Sequence, residues 1–254
     1  MDKALKHIDY SKEKAVISIN KLNKRFGDNE VLKDFDLKLY ENENLVIMGK
    51  SGSGKSVMIK CLVGLMEPDS GSIEVLGKDI SRLQQEEMDA LRADIGFLFQ
   101  GSALYDSMTV RENLEFPLRR HKAKTKGQKT EELVLEALES VGLPQTLDLL
   151  PAELSGGMQR RIALARALIL KPRIIIYDEP TTGLDPITAK EIVHLITEVQ
   201  KKYNTSSLII THDVDCARVI ADRIVLLYDH TNYTEGTFEE LSTSKDPNVK
   251  AFFK

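Results

Sequence analysis

Two hydrophobic patterns take turns along this chain. Unbroken apolar runs stand at 45–48 (LVIM), 174–177 (IIIY) and 207–210 (SLII). A strand reads this way when both of its faces are buried. Looser patterns at 16–19, 31–39, 72–76, 95–99 and 224–228 predict further strands, with Leu32, Phe35, Leu37 and Leu39 carrying the second. The run KRFGDN at 24–29 is a turn by composition. Helical spacing predicts helices over 56–65, 104–120, 130–141, 155–170, 188–202 and 213–220. Their stop signals are Gly64 with the Pro68-Asp69-Ser70-Gly71 turn, then Gly142-Leu143-Pro144, then Lys171-Pro172. Strands alternating with helices argue for a mostly parallel α/β core. Residues from about 101 to 160 break that rhythm and read as a helical insertion. Residues 1–15 read as a poorly packed lead-in, and no internal repeat of useful period is present.

Composition changes this picture little. The 254 residues are 42% hydrophobic, enough for a substantial core. The net charge of −4 lacks the basic excess of a nucleic-acid binder, so no nucleic-acid partner is expected. No run approaches the ~20 apolar residues that cross a bilayer. The polar start MDKALKHIDYSKEKAV lacks a signal-peptide core. Cys61 and Cys216 fall in predicted helices without metal-ligand spacing and read as buried free thiols of a reducing, cytoplasmic compartment. The run HKAKTKGQKT at 121–130 has four lysines in ten residues and reads as a solvated loop rather than a contact for anionic lipid.

The chemistry begins at GKSGSGKS, residues 49–56, which follows a predicted strand and opens a predicted helix. This is a complete Walker A phosphate loop. Gly49, Gly52 and Gly54 let the backbone curl inward. Amides around Ser51, Ser53 and Val57 then face phosphate oxygens at a helix N-terminus. Lys55 reaches the β- and γ-phosphates of ATP, and the Ser56 hydroxyl can ligate Mg²⁺. A second anchor for the metal is Asp178, delivered by the apolar strand before it, as a Walker B aspartate is. Glu179 follows directly, where a carboxylate can orient or deprotonate an attacking water.

The remaining motifs resemble those of ABC transporter ATPases, over about residues 16–228. Leu154-Ser155-Gly156-Gly157-Met158 resembles that family's signature motif. Physically it is another anion site, a serine and two glycines at a helix start. One chain already has its phosphate loop. The resemblance therefore implies that Ser155, Gly156 and Gly157 grip the ATP of a second copy, in a head-to-tail dimer closing on two nucleotides. It further implies that Phe26 stacks on adenine, and that Gln100 is the Q-loop glutamine near Mg²⁺ and water. Asp185 resembles the D-loop aspartate that communicates across the dimer, and His212 the H-loop histidine beside the γ-phosphate and Glu179. The implied fold is a P-loop NTPase of the ABC type: a RecA-like parallel-sheet core, an antiparallel β subdomain and a helical subdomain. One domain is expected over 1–254, with the core and β subdomain at about 16–100 and 161–230. The helical subdomain takes about 101–160, and a tail 231–254.

Within that family, the run GSALYDSMTVRENLEFPL at 101–118, together with Met158, resembles the ATPases of Mla-type phospholipid-trafficking systems. The resemblance implies permease subunits held by residues 101–118, an MCE-domain lipid-binding partner, and a post at the cytoplasmic face of a bacterial inner membrane. Amino-acid or lipoprotein transport is the alternative cargo. A soluble ABC ATPase acting on DNA or ribosomes fits poorly with one Walker A motif, no heptad tract and no cysteine cluster. The tail ends in Val249, Phe252 and Phe253. It is either a small dimerisation element or a last helix packed on its own domain.

Overall fold

The computed structural model describes residues 14–122 and 124–253, so the lead-in expected at 1–15 lies almost wholly outside the described residues. In chain order the first elements are β1 (Ala15–Phe26), β2 (Asn29–Tyr40), β3 (Asn44–Gly49), α1 (Lys55–Leu62), β4 (Ser70–Val75) and β5 (Lys78–Asp79). Next come α2 (Gln85–Arg92), β6 (Ile95–Leu98), α3 (Val110–Arg120), α4 (Thr130–Ser140), α5 (Gly156–Leu168) and β7 (Ile174–Asp178). The chain then runs through α6 (Pro186–Tyr203), β8 (Ser206–Thr211), α7 (Val214–Ile220), β9 (Arg223–Tyr228), β10 (Thr231–Gly236), α8 (Phe238–Ser242) and α9 (Pro247–Lys250).

Six strands make the central sheet in the order β10-β9-β3-β8-β7-β6. All its pairings are parallel except β9 with β10. The apolar runs fill the middle: every residue of β3 and β8 is buried. Side chains alternate between two cores, as a two-residue period requires. Val46, Met48, Ile175 and Tyr177 point into a core shared with the helices α3 to α7. Leu45, Ile47, Ile174 and Ile176 point into a second core under α1 and a four-stranded antiparallel sheet, β2-β1-β4-β5. This is the expected P-loop architecture: a parallel core, an antiparallel β layer and a helical layer.

Some local expectations shift. The turn read at 24–29 shrinks to Gly27 and Asp28, because both strands continue to Phe26 and Asn29. The helix expected from 104 starts only at Val110. Thr109 accepts from the Glu112 amide and Glu112 accepts from the Thr109 amide, a reciprocal cap that fixes the start. The fully buried Asn113 then holds the preceding loop, accepting from the Tyr105 amide and donating to the carbonyls of Tyr105, Met108 and Thr109. The basic run at 121–130 is less free than a solvated loop: Lys124 donates to Asp94 at 2.6 Å and Lys129 pairs with Glu132. At the other end, Phe253 packs edge-on against Phe238 and Phe252 against Tyr228, so the tail lies on its own domain. Cys61 and Cys216 are both buried in helices, and burial pushes the Cys216 thiol up to about 12. Among the described residues no helix is long and apolar enough to cross a membrane.

Candidate functional site

β3 ends at Gly49 and α1 begins at Lys55, so the phosphate loop is a strand-to-helix crossing. Two of its glycines are sterically required. A Cβ on Gly49 would lie 2.6 Å from Ser53 Oγ, and one on Gly54 would lie 2.7 Å from the Val31 carbonyl. Gly54 also has φ +105°, where only glycine is unstrained. The Lys55 ammonium is folded back over the loop and buried, donating to the carbonyls of Gly49 (2.6 Å) and Lys50 (2.9 Å). The first amides of α1 have no carbonyl one turn earlier to bond. Ser53 Oγ is buried without a partner. A buried orphan beside free helix amides and an ammonium is a cradle for an anion of phosphate size.

Opposite the loop stand two carboxylates. β7 carries Asp178 to its end, and Glu179 follows in the left-handed region at φ +49°. Its amide donates to the Ile210 carbonyl at 2.8 Å, which ties this strained residue to β8. His212, just past β8, sets Nδ1 2.9 Å from the Glu179 carboxylate, and Thr182 Oγ1 donates to the same group at 3.1 Å. Burial and then the Glu179 charge push the Asp178 carboxyl up, while Lys55 opposes them. Burial pulls the Lys55 ammonium down against the pull of Glu179 and Asp178. One ammonium faces two crowded carboxylates, and an added cation would relieve that crowding.

A cleft of about 510 Å³ gathers Ser51, Gly52, Ser53, Gly54, Lys55, Ser56, Val57, Gln100, Asp178, Glu179 and His212. It also includes Val31, which nothing in the sequence singled out. Phe26, Ser155, Gly156, Gly157 and Asp185 are not among the residues lining it. Phe26 is half exposed, with the Lys24 ammonium 5.7 Å from its ring centre. The residues present fit Mg²⁺. Ser56, Asp178 and Gln100 share the cleft with the phosphate cradle. Mg²⁺ is commonly held by one or two such groups plus substrate phosphates, not by an all-protein cage.

The sequence profile of the ABC transporter family matches residues 32–182, more than half of the chain. The chain belongs to the ABC transporter family. It is 39% identical over 236 residues to the probable ribonucleotide transport ATP-binding protein mkl of Mycobacterium tuberculosis, covering 93% of this chain and 66% of that protein. It thus spans a little less than two thirds of the length of that relative. It is 38% identical over 239 residues to the intermembrane phospholipid transport system ATP-binding protein MlaF of Haemophilus influenzae, covering 94% of this chain and 90% of that one. Among solved structures it superposes on the ATP-binding cassette MJ0796, a dimer in a post-hydrolysis state bound to ADP and Pi. The TM-score is 0.77 at 32% identity, over 87% of this chain and 98% of that one. Fold, phosphate loop and family agree with one another.

The glycine turn at the start of α5 is built differently from the phosphate loop. Ser155 caps α5, accepting from the Met158 amide. Gly157 is there for close approach: a Cβ would lie 2.6 Å from Thr188 Cγ2 on α6. Asp185 caps α6, accepting from the amides of Ile187 and Thr188, and those bonds with the Thr188 hydroxyl hold its carboxyl below the usual range. Two arginines on α5, unmarked by the sequence reading, tie this region to the cleft. Buried Arg160 donates to the carbonyls of Phe99 (2.7 Å) and Thr182 (3.2 Å), beside Gln100 and Glu179 respectively. Arg166 donates to the Ser102 carbonyl and lies over the Tyr105 ring.

Beside the cleft runs an apolar groove of about 560 Å³. It reaches Ser56 and Asp178 at one end and Arg92, Arg120 and His121 at the other. Phe97 and Phe99 stack in it with centroids 4.1 Å apart. An adjoining hollow of about 490 Å³ adds Tyr105 and Phe116, whose rings lie 5.0 Å apart.

Proposed function

We propose that this chain is the ATP-binding and ATP-hydrolysing subunit of an ABC transporter that traffics phospholipid between membranes of a bacterial envelope. One observation carries the ATPase chemistry: Lys55, Glu179 and His212 converge on a single cleft whose floor is a glycine-built phosphate cradle. Lys55 and the loop amides offset charge on the transferring phosphoryl group. Glu179, held by His212 and Thr182, orients the water that attacks. Ser56, Asp178 and Gln100 hold Mg²⁺, which supplies further positive charge to the β- and γ-phosphates when bound. Phe26 stacks on the adenine.

Ser155, Gly156, Gly157 and Asp185 do not line their own chain's cleft, which supports a head-to-tail dimer in which a second copy supplies them. Closure of that dimer completes each site and restrains hydrolysis until both halves meet. The aromatic groove next to Gln100 takes a helical segment of the permease, which keeps the chain at the cytoplasmic face of the inner membrane.

The lipid cargo rests on two supports. The run at 101–118 with Met158 resembles the Mla type, and the likeness to MlaF extends over 90% of that protein. The slightly higher identity to mkl, named for ribonucleotides, favours another cargo and defines the competing reading. Purification of the tagged chain from gently solubilised membranes separates the two. Co-purification of a permease, an MCE-domain protein and phospholipid is the expected result. A permease with a solute-binding or lipoprotein-handling partner overturns the cargo and leaves the ATPase standing.

A further inference from the structure

We propose that Tyr228 is a positioning residue for the phosphate loop, acting through Lys50. The idea rests on the nucleotide reading of the cleft and adds a restraint from outside it. Gly49 of β3 pairs in register with Leu227 of β9, so the next residues, Lys50 and Tyr228, emerge side by side at one sheet edge. The Lys50 ammonium lies 5.9 Å from the centre of the Tyr228 ring, within cation–π range. Lys50 is exposed and belongs to the loop itself. Its carbonyl accepts from the Lys55 ammonium at 2.9 Å and from the Ser53 amide at 3.1 Å. Whatever fixes Lys50 therefore fixes one of the two carbonyls on which Lys55 rests.

The Tyr228 ring is itself boxed. Tyr233 of β10 meets it edge-on at 5.3 Å and Phe252 at 6.3 Å. Tyr233 Oη donates to Asp246, and the Asn248 amide group donates to Tyr233 Oη. Asp246 caps α9. A line of contacts thus runs from the C-terminal tail through Tyr233 and Tyr228 to Lys50 and Lys55. The loop between has left-handed glycines at 52 and 54 and much freedom to lose on binding phosphate. Anchoring Lys50 in advance reduces that loss, so the effect belongs in nucleotide affinity rather than in the chemical step.

The test compares the wild type with Tyr228→Phe, Tyr228→Leu, Lys50→Met, Lys50→Arg and the Tyr228→Leu/Lys50→Met double variant. Phe253→Ala, whose ring packs on Phe238 instead, is the control. KM and kcat for ATP hydrolysis are measured, with the Kd of a fluorescent ATP analogue. Tyr228→Leu keeps an apolar body against Phe252 but removes the ring face. It should raise KM and Kd about two- to fivefold, the range an exposed cation–π contact supports, with kcat unchanged. Tyr228→Phe should match the wild type, and the double variant should bind no more weakly than Lys50→Met. If Tyr228→Leu does not fold, Lys50→Arg with wild-type Kd beside a weakened Lys50→Met carries the test. Wild-type affinity in Tyr228→Leu, or equal losses in the Phe and Leu variants, overturns the proposal while the ATPase stands. A wild-type chain that binds no ATP overturns both.

Discussion

The chain holds two glycine-containing turns at helix starts, and they are finished to very different degrees. The phosphate loop at α1 buries Gly49, Gly54 and the Lys55 ammonium and faces two carboxylates and a histidine. The Ser155-Gly156-Gly157 turn at α5 is a serine cap and two glycines, with Ser155 and Gly156 exposed and Gly157 partly so. In the proposed function both grip phosphate, and the first lines its cleft with Lys55, Glu179 and His212. The second is joined to the first through its helix, because Arg160 bonds the carbonyl before Gln100 and the carbonyl of Thr182, whose hydroxyl bonds Glu179. Such a link fits the proposed role of the second turn, contacting nucleotide bound by a second copy.

The sharpest break in that comparison comes from the reacting side. Glu179→Gln keeps the cradle and Lys55 intact while removing the base. Turnover should fall about 10²- to 10⁴-fold with ATP affinity kept, and an ATP-dependent dimer should accumulate on a sizing column. Unchanged turnover would strip Glu179 of its role. The gripping side should give a smaller effect of another kind. Gly157→Val drives a side chain into Thr188, where a bare Cβ already comes within 2.6 Å of Cγ2, and displaces the α5 start from α6. Hydrolysis should drop roughly 10- to 100-fold through misplacement, while the dilute monomer binds a fluorescent ATP analogue as before. Weakened binding in the monomer would mean that the two turns are not separable.

The link between the turns is the next test. Arg160→Ala leaves the Phe99 and Thr182 carbonyls without their donor in a buried site. A well-formed charged hydrogen bond is worth ~1.5–3 kcal/mol and the 3.2 Å bond to Thr182 adds less, so stability should fall by about 2–3 kcal/mol and Tm by roughly 5–10 °C. Arg160→Lys retains one charge but not the fork that spans both carbonyls, and should recover stability better than turnover. A lysine variant with full turnover would show that the arginine only packs.

How much of this was legible follows the same division. The phosphate loop and the Asp178-Glu179 pair could be read because each is a contiguous string whose neighbours, apolar strand before and helix or turn after, are equally local. His212 and Gln100 needed family resemblance, since a lone residue after a strand has no pattern of its own. Val31, Arg160 and Arg166 were invisible: they matter through contacts with Gly54, Thr182 and Ser102, which lie 23, 22 and 64 positions away in the chain. α2 escaped because it is polar, burying only Met88 and Leu91, and β10 because an edge strand reading TNYTEG lacks an apolar face. The start of α3 was misplaced although Thr109 and Glu112 spell the cap, because the apolar residues at 104–110 outweighed it.

The smallest effect probes the cost of keeping the reacting side ready. Asp178 is pushed up by burial and by Glu179, so its charged form destabilises the nucleotide-free fold. The sign follows from linkage. A carboxyl whose folded value lies above its unfolded value of 3.8 favours unfolding once both forms are ionised, at neutral pH. That penalty fades as pH falls through the folded value and is gone below the unfolded one. Asp178→Asn removes it at all pH, so the variant without nucleotide should melt higher than the wild type at pH 7. Its advantage should shrink as pH drops toward 4. Wild type with Mg²⁺ and ATP should recover more than the variant's gain, because the metal compensates the carboxylate only where one is present. If the variant melts lower at neutral pH, Asp178 acts as a structural partner rather than as a charge held in waiting.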